Sequence, residues 1–162
     1  MNNSGTYALV IALEVGLRLR AGRLGIHSLI PGYYVYTGSA LGGLSGRLRY
    51  HLKLKKRLHW HIDYLLREAV IAHIWYALGQ RRLECIWNAI VKSLPGAISS
   101  ISGFGASDCQ CSSHLTYFLT IPSFNLFEQM LRKSKLPEVY RLDLRNKLMC
   151  NETSKRHSIA NS

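Results

Sequence analysis

The stretch Gly-Thr-Tyr-Ala-Leu-Val-Ile-Ala-Leu-Glu, residues 5–14, decides the fold of this chain. From Tyr7 onward it consists of apolar and β-compatible residues until Glu14 ends the run, a composition typical of a strand. We predict that residues 7–14 form the central strand of a sheet. Residues 16–20 alternate leucines with arginines, and we predict that they fold back on the first strand as a hairpin.

Outward from this strand, strand and helix patterns alternate as far as residue 121. We predict a loop at 25–32, strands at 33–37, 69–77 and 115–121, and helices around 44–52, 60–67 and 81–94. The strand at 33–37 is expected to pair with the first strand. These elements predict an α/β fold of the α+β kind, in which a small, mainly antiparallel sheet is flanked by helices.

The remaining residues have a different composition. We predict that residues 1–121 form one domain and that residues 122–150 form a short helical extension, with helices at 124–133 and 138–148. The polar tail at 151–162 is expected to be disordered.

The formal net charge of +12 has a local component. Within eleven residues, without one acid among them, the chain carries Arg47, Arg49, Lys53, Lys55, Lys56 and Arg57. Such a patch favours a polyanion as partner, because each phosphate contact releases counterions. The alternative is a solvated helix face that aids solubility. A membrane surface is disfavoured, because the chain has no amphipathic segment with an exposed aromatic face.

Cysteine usage and the first residues predict a cytoplasmic protein. The four cysteines are too few and too unevenly placed for a secreted disulfide framework. The residues Met1-Asn2-Asn3-Ser4 lack the basic region of a secretory signal. The apolar stretch at 8–13 is far too short to span a bilayer.

Four separated features of the sequence suit phosphodiester cleavage. They are the triplets Gly5-Thr6-Tyr7 and Tyr36-Thr37-Gly38, the pair Arg47 and His51 four residues apart, and Glu84. Such a site needs a group that positions or deprotonates water, a cation that neutralises phosphate charge, and a carboxylate that holds a divalent metal. Tyrosine, arginine and glutamate supply these three functions.

This arrangement resembles the GIY-YIG nuclease superfamily, in which two tyrosine triplets lie on neighbouring strands, an Arg-x-x-x-His helix follows, and a later helix carries a glutamate. Two departures are evident. Roughly 28 residues separate the two triplet tyrosines, more than is usual in the superfamily, so an extra hairpin is expected between them. The middle residue of both triplets is threonine rather than isoleucine.

Further blocks resemble a narrower branch, the GIY-YIG-like family called domain of unknown function 123, which is sometimes fused to DNA-repair glycosylases. They are Gly-Tyr-Tyr-Val-Tyr at 32–36, Leu-His-Trp-His-Ile-Asp-Tyr-Leu-Leu at 58–66, Leu-Glu-Cys at 83–85 and Gly-Phe-Gly-Ala-Ser-Asp-Cys-Gln-Cys at 103–111. The resemblance covers about residues 5–120.

The resemblance implies a DNA endonuclease that uses one Mg²⁺ or Mn²⁺ ion in DNA repair or processing. Tyr7 and Tyr36 would position or activate water, Arg47 would stabilise the transition state, and Glu84 would bind the metal. His51 would contact phosphate or act as a helper acid or base. DNA is the implied substrate and DNA-repair proteins are implied partners. The sequence leaves open whether the DNA is branched, nicked, damaged or single-stranded, or is replaced by RNA, because all of these present the same phosphates. The nucleic-acid-binding residues would be Arg49, Lys53, Lys55, Lys56, Arg57 and His61.

Structural alternatives accompany these roles. The tyrosines could be ordinary strand aromatics, and Glu84 could pair with Arg81 or Arg82 at the helix end. Trp60 could belong to the core or could offer a face for base stacking. The whole domain could also be a nucleic-acid-binding module without catalysis.

The segment 108–114 is the most ambiguous motif. Cys109, Cys111 and His114 are candidate zinc ligands, and a zinc-stabilised interaction adaptor is a third hypothesis. Zinc is nevertheless disfavoured, because Cys-x-Cys-x-x-His lacks the second, distant ligand pair of common structural sites. We instead predict a glycine-rich turn that leads into Asp108 as a turn or cap residue. Cys85 is interpreted as a small buried hydrophobe.

Overall fold

The computed structural model of this chain describes residues 3–144. The strands of this part are β1 (Gly5–Leu13), β2 (Leu17–Arg20), β3 (Ile26–Leu29), β4 (Gly32–Ala40), β5 (Val70–Leu78), β6 (Ile98–Ser99), β7 (Leu115–Phe118) and β8 (Tyr140–Asp143). Its α-helices are α1 (Leu44–Leu52), α2 (His61–Leu66), α3 (Glu84–Ser93) and α4 (Phe124–Lys133), and one turn of 3-10 helix spans Gly22–Leu24. Among the described residues, no helix is long and apolar enough to cross a bilayer.

A six-stranded antiparallel sheet forms the centre of the fold. Its order is β6-β7-β4-β1-β5-β8, which confirms both the predicted α+β class and the central position of β1. All nine residues of β1 are buried, because β4 and β5 pair with its two edges and both of its faces are covered. The side chains of successive residues point to opposite faces of the sheet, so that Tyr7 and Leu9 enter one core while Ala8 and Val10 enter the other.

Helices cover both faces of the sheet. The face of Tyr7 packs against α1, α2 and the separate two-stranded sheet formed by β2 and β3. The opposite face packs against α3 and α4, where Phe127 lies 4.8 Å from the ring of Trp75 and 5.1 Å from that of Trp87. Aromatic pairs of this kind stabilise a core by about 0.5–1.5 kcal/mol each beyond their area burial.

The predicted hairpin between the first strand and residues 16–20 is wrong. Both edges of β1 are occupied, so β2 pairs with β3 instead, with Leu17 opposite Leu29. Residues 26–29, predicted as part of a loop, therefore form a strand. The extra hairpin expected between the two tyrosine triplets is this β2–β3 unit.

The predicted second helix of the C-terminal extension is also wrong in its described part. Residues 140–143 form β8, which pairs with β5 so that Tyr140 lies opposite Tyr76. Apolar residues alternate with Arg141 and Asp143 in this segment, and the free edge of β5 accepts a strand with that alternation. The prediction of helix α4 is confirmed. Residues 145–148 and the tail at 151–162 lie outside the described residues, and the division at residue 121 stays a prediction.

Candidate active site

The pairing of β1 with β4 places the two tyrosine triplets side by side. Tyr7 lies opposite Gly38, and Leu9 lies opposite Tyr36. A Cβ atom on Gly38 would lie 2.6 Å from the Tyr7 hydroxyl oxygen and 2.7 Å from its ring carbon Cζ. Gly38 is therefore glycine because the ring of Tyr7 lies across it.

We expect Gly38→Ala to destabilise the fold by about 1–3 kcal/mol, because Tyr7 is 1% exposed and has no room to retreat. Gly46→Ala is the matched control. A Cβ at Gly46 meets nothing within 4 Å, and alanine in a helix is favoured over glycine by about 0.5–1 kcal/mol. Urea unfolding of the two variants measures both effects. Equal stability of the two variants would show that the Tyr7 ring does not constrain position 38.

Four of the residues predicted to act in catalysis or metal binding line one pocket of about 350 Å³. They are Tyr7, Tyr36, Arg47 and Glu84, and His61 lines the same pocket. His61 Nδ1 accepts a hydrogen bond of 3.1 Å from the backbone N–H of Gly105, which fixes its ring against the 103–114 loop. The sequence separates these residues by up to 77 positions, and the sheet brings them to one end of β1 and β4.

His51 lies behind Tyr7 and does not line the pocket. Its Nε2 lies 2.8 Å from the Tyr7 hydroxyl, and its Nδ1 lies 3.9 Å from Asp63 Oδ1. Because Nδ1 faces a carboxylate, we assign the proton to Nδ1, and the Tyr7 hydroxyl then donates to Nε2. His51 is 3% exposed, so the expectation that it contacts phosphate directly is wrong.

Burial favours the uncharged forms of the Tyr7 phenol and the His51 imidazole. Desolvation, followed by the nearby Lys56, lowers the pKa of His51 to about 3, against the opposing effect of Asp63. Desolvation also raises the pKa of Tyr7 to about 12, although Arg47 opposes the shift, and it raises the pKa of Tyr36 further. These shifts favour the neutral phenol form of both tyrosines at neutral pH over a phenolate that could act as the base.

Arg47 is held at the pocket wall by its contacts with Trp60 and Ser39, beside the Tyr7 hydroxyl. Its guanidinium carbon lies 4.2 Å from the ring centroid of Trp60, and its Nη1 donates to the Ser39 carbonyl at 3.4 Å. Trp60 is half-buried and lines the pocket, so its ring packs against the guanidinium at the pocket wall. The stacked arrangement leaves the remaining N–H groups of the fork available to an anion.

Glu84 begins α3 and is fixed by the strands. Its Oε2 accepts a hydrogen bond from the Ser39 hydroxyl, and its Oε1 lies 3.3 Å from Arg82 Nε. Glu84 therefore does pair with Arg82, as the structural alternative predicted, but it also lines the pocket. Arg82 bridges to Asp108 as well, at 3.1 Å.

Thr6, the middle residue of the first triplet, holds α3 in place. Its hydroxyl oxygen accepts a hydrogen bond from the backbone N–H of Leu83 at 3.3 Å and lies 3.1 Å from the Ser39 hydroxyl oxygen. The chain Thr6, Ser39, Glu84 therefore fixes the carboxylate relative to β1 and β4. Sequence reasoning recorded Thr6 only as a departure from the pattern and missed Ser39.

Lys56 is not part of the predicted nucleic-acid-binding surface. Its side chain is 5% exposed, its ammonium lies 3.4 Å from Asp63 Oδ1, and it donates to the His51 carbonyl at 3.0 Å. It is a structural cation that neutralises a buried carboxylate. The other basic residues of that segment, Arg49, Lys53, Lys55 and Arg57, are exposed.

A cluster of three cysteines and one histidine lies beside the pocket. One ligand atom from each of Cys85, Cys109, Cys111 and His114 lies within 4.8 Å of the others, so the cluster could hold a metal ion. Cys85 was interpreted as a buried hydrophobe, but it is half-buried with its Sγ 3.8 Å from His114 Nε2. Desolvation and the thiols of Cys111 and Cys109 raise the pKa of the Cys85 thiol to about 12.

The geometry defines an α+β protein with a polar pocket at the ends of two central strands, in which neutral tyrosines face an arginine and a glutamate. The chain belongs to the family described as domain of unknown function DUF123, whose model matches residues 6–135. Comparison with curated proteins gave no match, and comparison with solved structures gave none.

Proposed function

We propose that this protein is a metal-dependent DNA endonuclease of the GIY-YIG kind, which hydrolyses phosphodiester bonds in DNA repair or processing. The observation that carries the proposal is the convergence of Tyr7, Tyr36, Arg47 and Glu84 on one pocket. Each residue supplies one of the functions that phosphodiester hydrolysis requires.

Tyr7 is suited to position the attacking water. Its hydroxyl proton is directed to His51 Nε2, 2.8 Å away. Its oxygen also interacts with the Arg47 side chain, and it has a second lone pair for a hydrogen bond donated by water. The raised pKa of Tyr7 means that it orients this water as a neutral phenol. His51 and Asp63 are positioning residues in this scheme, since neither lines the pocket.

Arg47 is suited to bind the phosphate under attack. Its planar fork can donate two parallel hydrogen bonds to phosphate oxygens, and charge that develops on those oxygens in the transition state strengthens the bonds. Stacking on Trp60 fixes the plane of the guanidinium before substrate arrives. An ammonium group at this position would supply charge without that geometry.

Glu84 fits a weakly held hard cation. A carboxylate with oxygen neighbours suits Mg²⁺ or Mn²⁺, and such ions commonly bind through one or two carboxylates, water and substrate phosphate. When bound there, the ion would neutralise phosphate charge and stabilise the leaving oxygen. Arg82 neutralises Glu84 in this structure, and because its side chain is 59% exposed, a cation at Glu84 would compete with it from the solvent side.

The exposed basic residues Arg49, Lys53, Lys55 and Arg57 would contact DNA beyond the cleaved bond. They lie on α1 and on the segment that follows it, next to Arg47 in sequence. Contacts of this kind read phosphates and not bases, so they favour affinity without sequence selection. His61 would add a contact from the pocket wall.

The test is cleavage of a panel of end-labelled DNAs, which contains duplex, nicked, branched and single-stranded forms, in Mg²⁺ or Mn²⁺. The proposal expects strand breaks in at least one DNA and none when EDTA is present. A protein that binds these DNAs tightly and cuts none of them would instead be the alternative, a nucleic-acid-binding module of the same fold. For that module, the slope of log affinity against log salt would fall by about 0.9 for each phosphate-binding cation removed.

Substitution of Arg47 separates turnover from binding. We expect Arg47→Lys to lower the cleavage rate by at least about 10-fold while DNA affinity changes by less than about 3-fold, because charge is kept and the fork is lost. Arg49→Lys is the matched control, because this exposed arginine lies two residues along the same helix and outside the pocket. Single-turnover rates and binding titrations of both variants provide the readout. A rate unchanged by Arg47→Lys would make Arg47 a simple point charge.

A further inference from the structure

We propose that Cys85, Cys109, Cys111 and His114 form a closed structural zinc site. The three sulfurs and the imidazole Nε2 come from two separate segments, the start of α3 and the 103–114 loop, and lie within 4.8 Å of one another. A tetrahedral zinc ion places sulfurs about 3.8 Å apart and sulfur and nitrogen about 3.5 Å apart. The cluster is thus within about 1 Å of the required size.

The orientation of His114 supports a metal ligand. Its Nδ1 lies 3.1 Å from the backbone carbonyl of Thr37, and a carbonyl can only accept, so the proton lies on Nδ1. The lone pair of Nε2 then faces the sulfurs, at 3.3 Å from Cys109 and 3.8 Å from Cys85. An N–H to carbonyl bond of this kind commonly orients a zinc-binding histidine.

The donor set selects the metal. Three thiols and an imidazole are soft to borderline ligands that favour zinc and disfavour Mg²⁺ or Mn²⁺, which prefer oxygen. All four positions of a tetrahedron are filled by protein, so such an ion would have no open position for water or substrate. The site is therefore distinct in kind from the site proposed at Glu84.

The cluster lies where a bound zinc ion would stabilise the elements around the pocket. Cys85 directly follows Glu84, and the backbone N–H of Thr37, in the second tyrosine triplet, donates to the His114 carbonyl at 3.2 Å. The loop is also tied to α3 by two hydrogen bonds: Asn88 Nδ2 donates to the Ser113 carbonyl at 2.8 Å, and Lys92 Nζ donates to the Ser112 hydroxyl oxygen at 2.9 Å. A zinc ion here would fasten α3, β4 and the loop together around the pocket.

The experiment measures metal content in the full chain purified from zinc-supplemented medium without chelator. We expect about one zinc per chain. We expect Cys85→Ser to weaken zinc binding by at least about 100-fold in competition with a chromophoric chelator. Cys150→Ser is the control for the loss of one cysteine, since Cys150 is not among the four proposed ligands, and it should leave zinc content and affinity unchanged.

Two outcomes would overturn the proposal. One is a wild-type protein that holds no zinc or holds iron instead, and the other is a Cys85→Ser variant that binds zinc as tightly as the control. If Cys85→Ser fails to fold, Co²⁺ exchanged into the wild type decides the matter: tetrahedral thiolate spectra support the site, and octahedral spectra contradict it. Metal content is measured without DNA, so its result is independent of whether the protein cuts DNA.

Discussion

Replacement of Glu84 by glutamine is expected to abolish metal-dependent DNA cleavage, with a loss of at least about 100-fold, or about 2.7 kcal/mol in the barrier. The glutamine amide keeps the shape of the side chain and an oxygen that can accept from the Ser39 hydroxyl. It lacks the negative charge that holds a divalent cation. DNA affinity should stay within about 3-fold, because the exposed cations that carry it are unchanged.

Glu14→Gln is the control for the loss of one negative charge. Glu14 is exposed and follows the end of β1 opposite to the pocket, so its variant should cleave at the wild-type rate. Thermal unfolding of both variants checks that they fold alike. Wild-type cleavage by Glu84→Gln would remove Glu84 from the metal site and leave it as the ion-pair partner of Arg82.

The largest effect on stability is expected for Asp63→Ala, at about 3–5 kcal/mol. Asp63 is fully buried, and its Oδ2 accepts hydrogen bonds from the backbone N–H groups of His59 and Trp60 at 2.9 and 2.8 Å. Its removal leaves these donors unpaired and leaves the ammonium of Lys56 buried without its carboxylate. Native proteins are stable by about 5–15 kcal/mol, so much of the margin would be lost.

A second substitution tests the cause of that loss. If the orphaned ammonium dominates, Asp63→Ala combined with Lys56→Met should recover about 1–3 kcal/mol relative to Asp63→Ala alone, because the coupled pair is removed together. Glu128→Ala, which breaks an exposed pair with Arg132, should cost less than about 0.5 kcal/mol. Urea unfolding midpoints provide the comparison. A loss below about 1 kcal/mol for Asp63→Ala would contradict the assigned role of this carboxylate.

The sequence predicted the strands whose residues have a clear local pattern of apolar or aromatic side chains. The apolar run of β1 and the aromatic run of β4 predict their strands, and the structure confirms both and their pairing. The partner of β2 was mistaken because pairing depends on which sheet edges are free, and β1 has none. The segment 138–148 was wrongly predicted as a helix. Four alternating residues within it fit a strand, but so short a pattern is ambiguous unless a free sheet edge, here that of β5, is known to be available.

The candidate site divides in the same way. The triplets, Arg47 and Glu84 could be selected from the sequence, and the register of β1 with β4 accounts for their meeting. The burial of the Lys56 side chain could not be predicted, because nothing in the local sequence distinguishes it from the exposed lysines of the same basic segment. Cys85 was missed as a candidate metal ligand because it lies 24 positions before Cys109, whereas the motif at 108–114 contains only neighbouring ligands.

The threonines of the two triplets show what tertiary contacts add. The Thr6 hydroxyl fixes the start of α3 and hence Glu84, and the Thr37 hydroxyl oxygen lies 3.4 Å from His114 Nδ1. These hydrogen bonds give threonine a role at positions where isoleucine would offer no side-chain donor or acceptor. Threonine in the middle of both triplets is therefore compatible with the pocket that the structure shows.

The most direct test of the central proposal is single-turnover cleavage with protein in excess over the labelled DNA that it binds best. The DNA is first shown to be fully bound, and Mg²⁺ or EDTA is then added. The account predicts a shorter labelled strand that appears with Mg²⁺, is absent with EDTA, and is absent for Glu84→Gln on equally bound DNA. DNA that stays intact while fully bound by the wild-type protein, in Mg²⁺ and in Mn²⁺, would contradict it and identify a binding module.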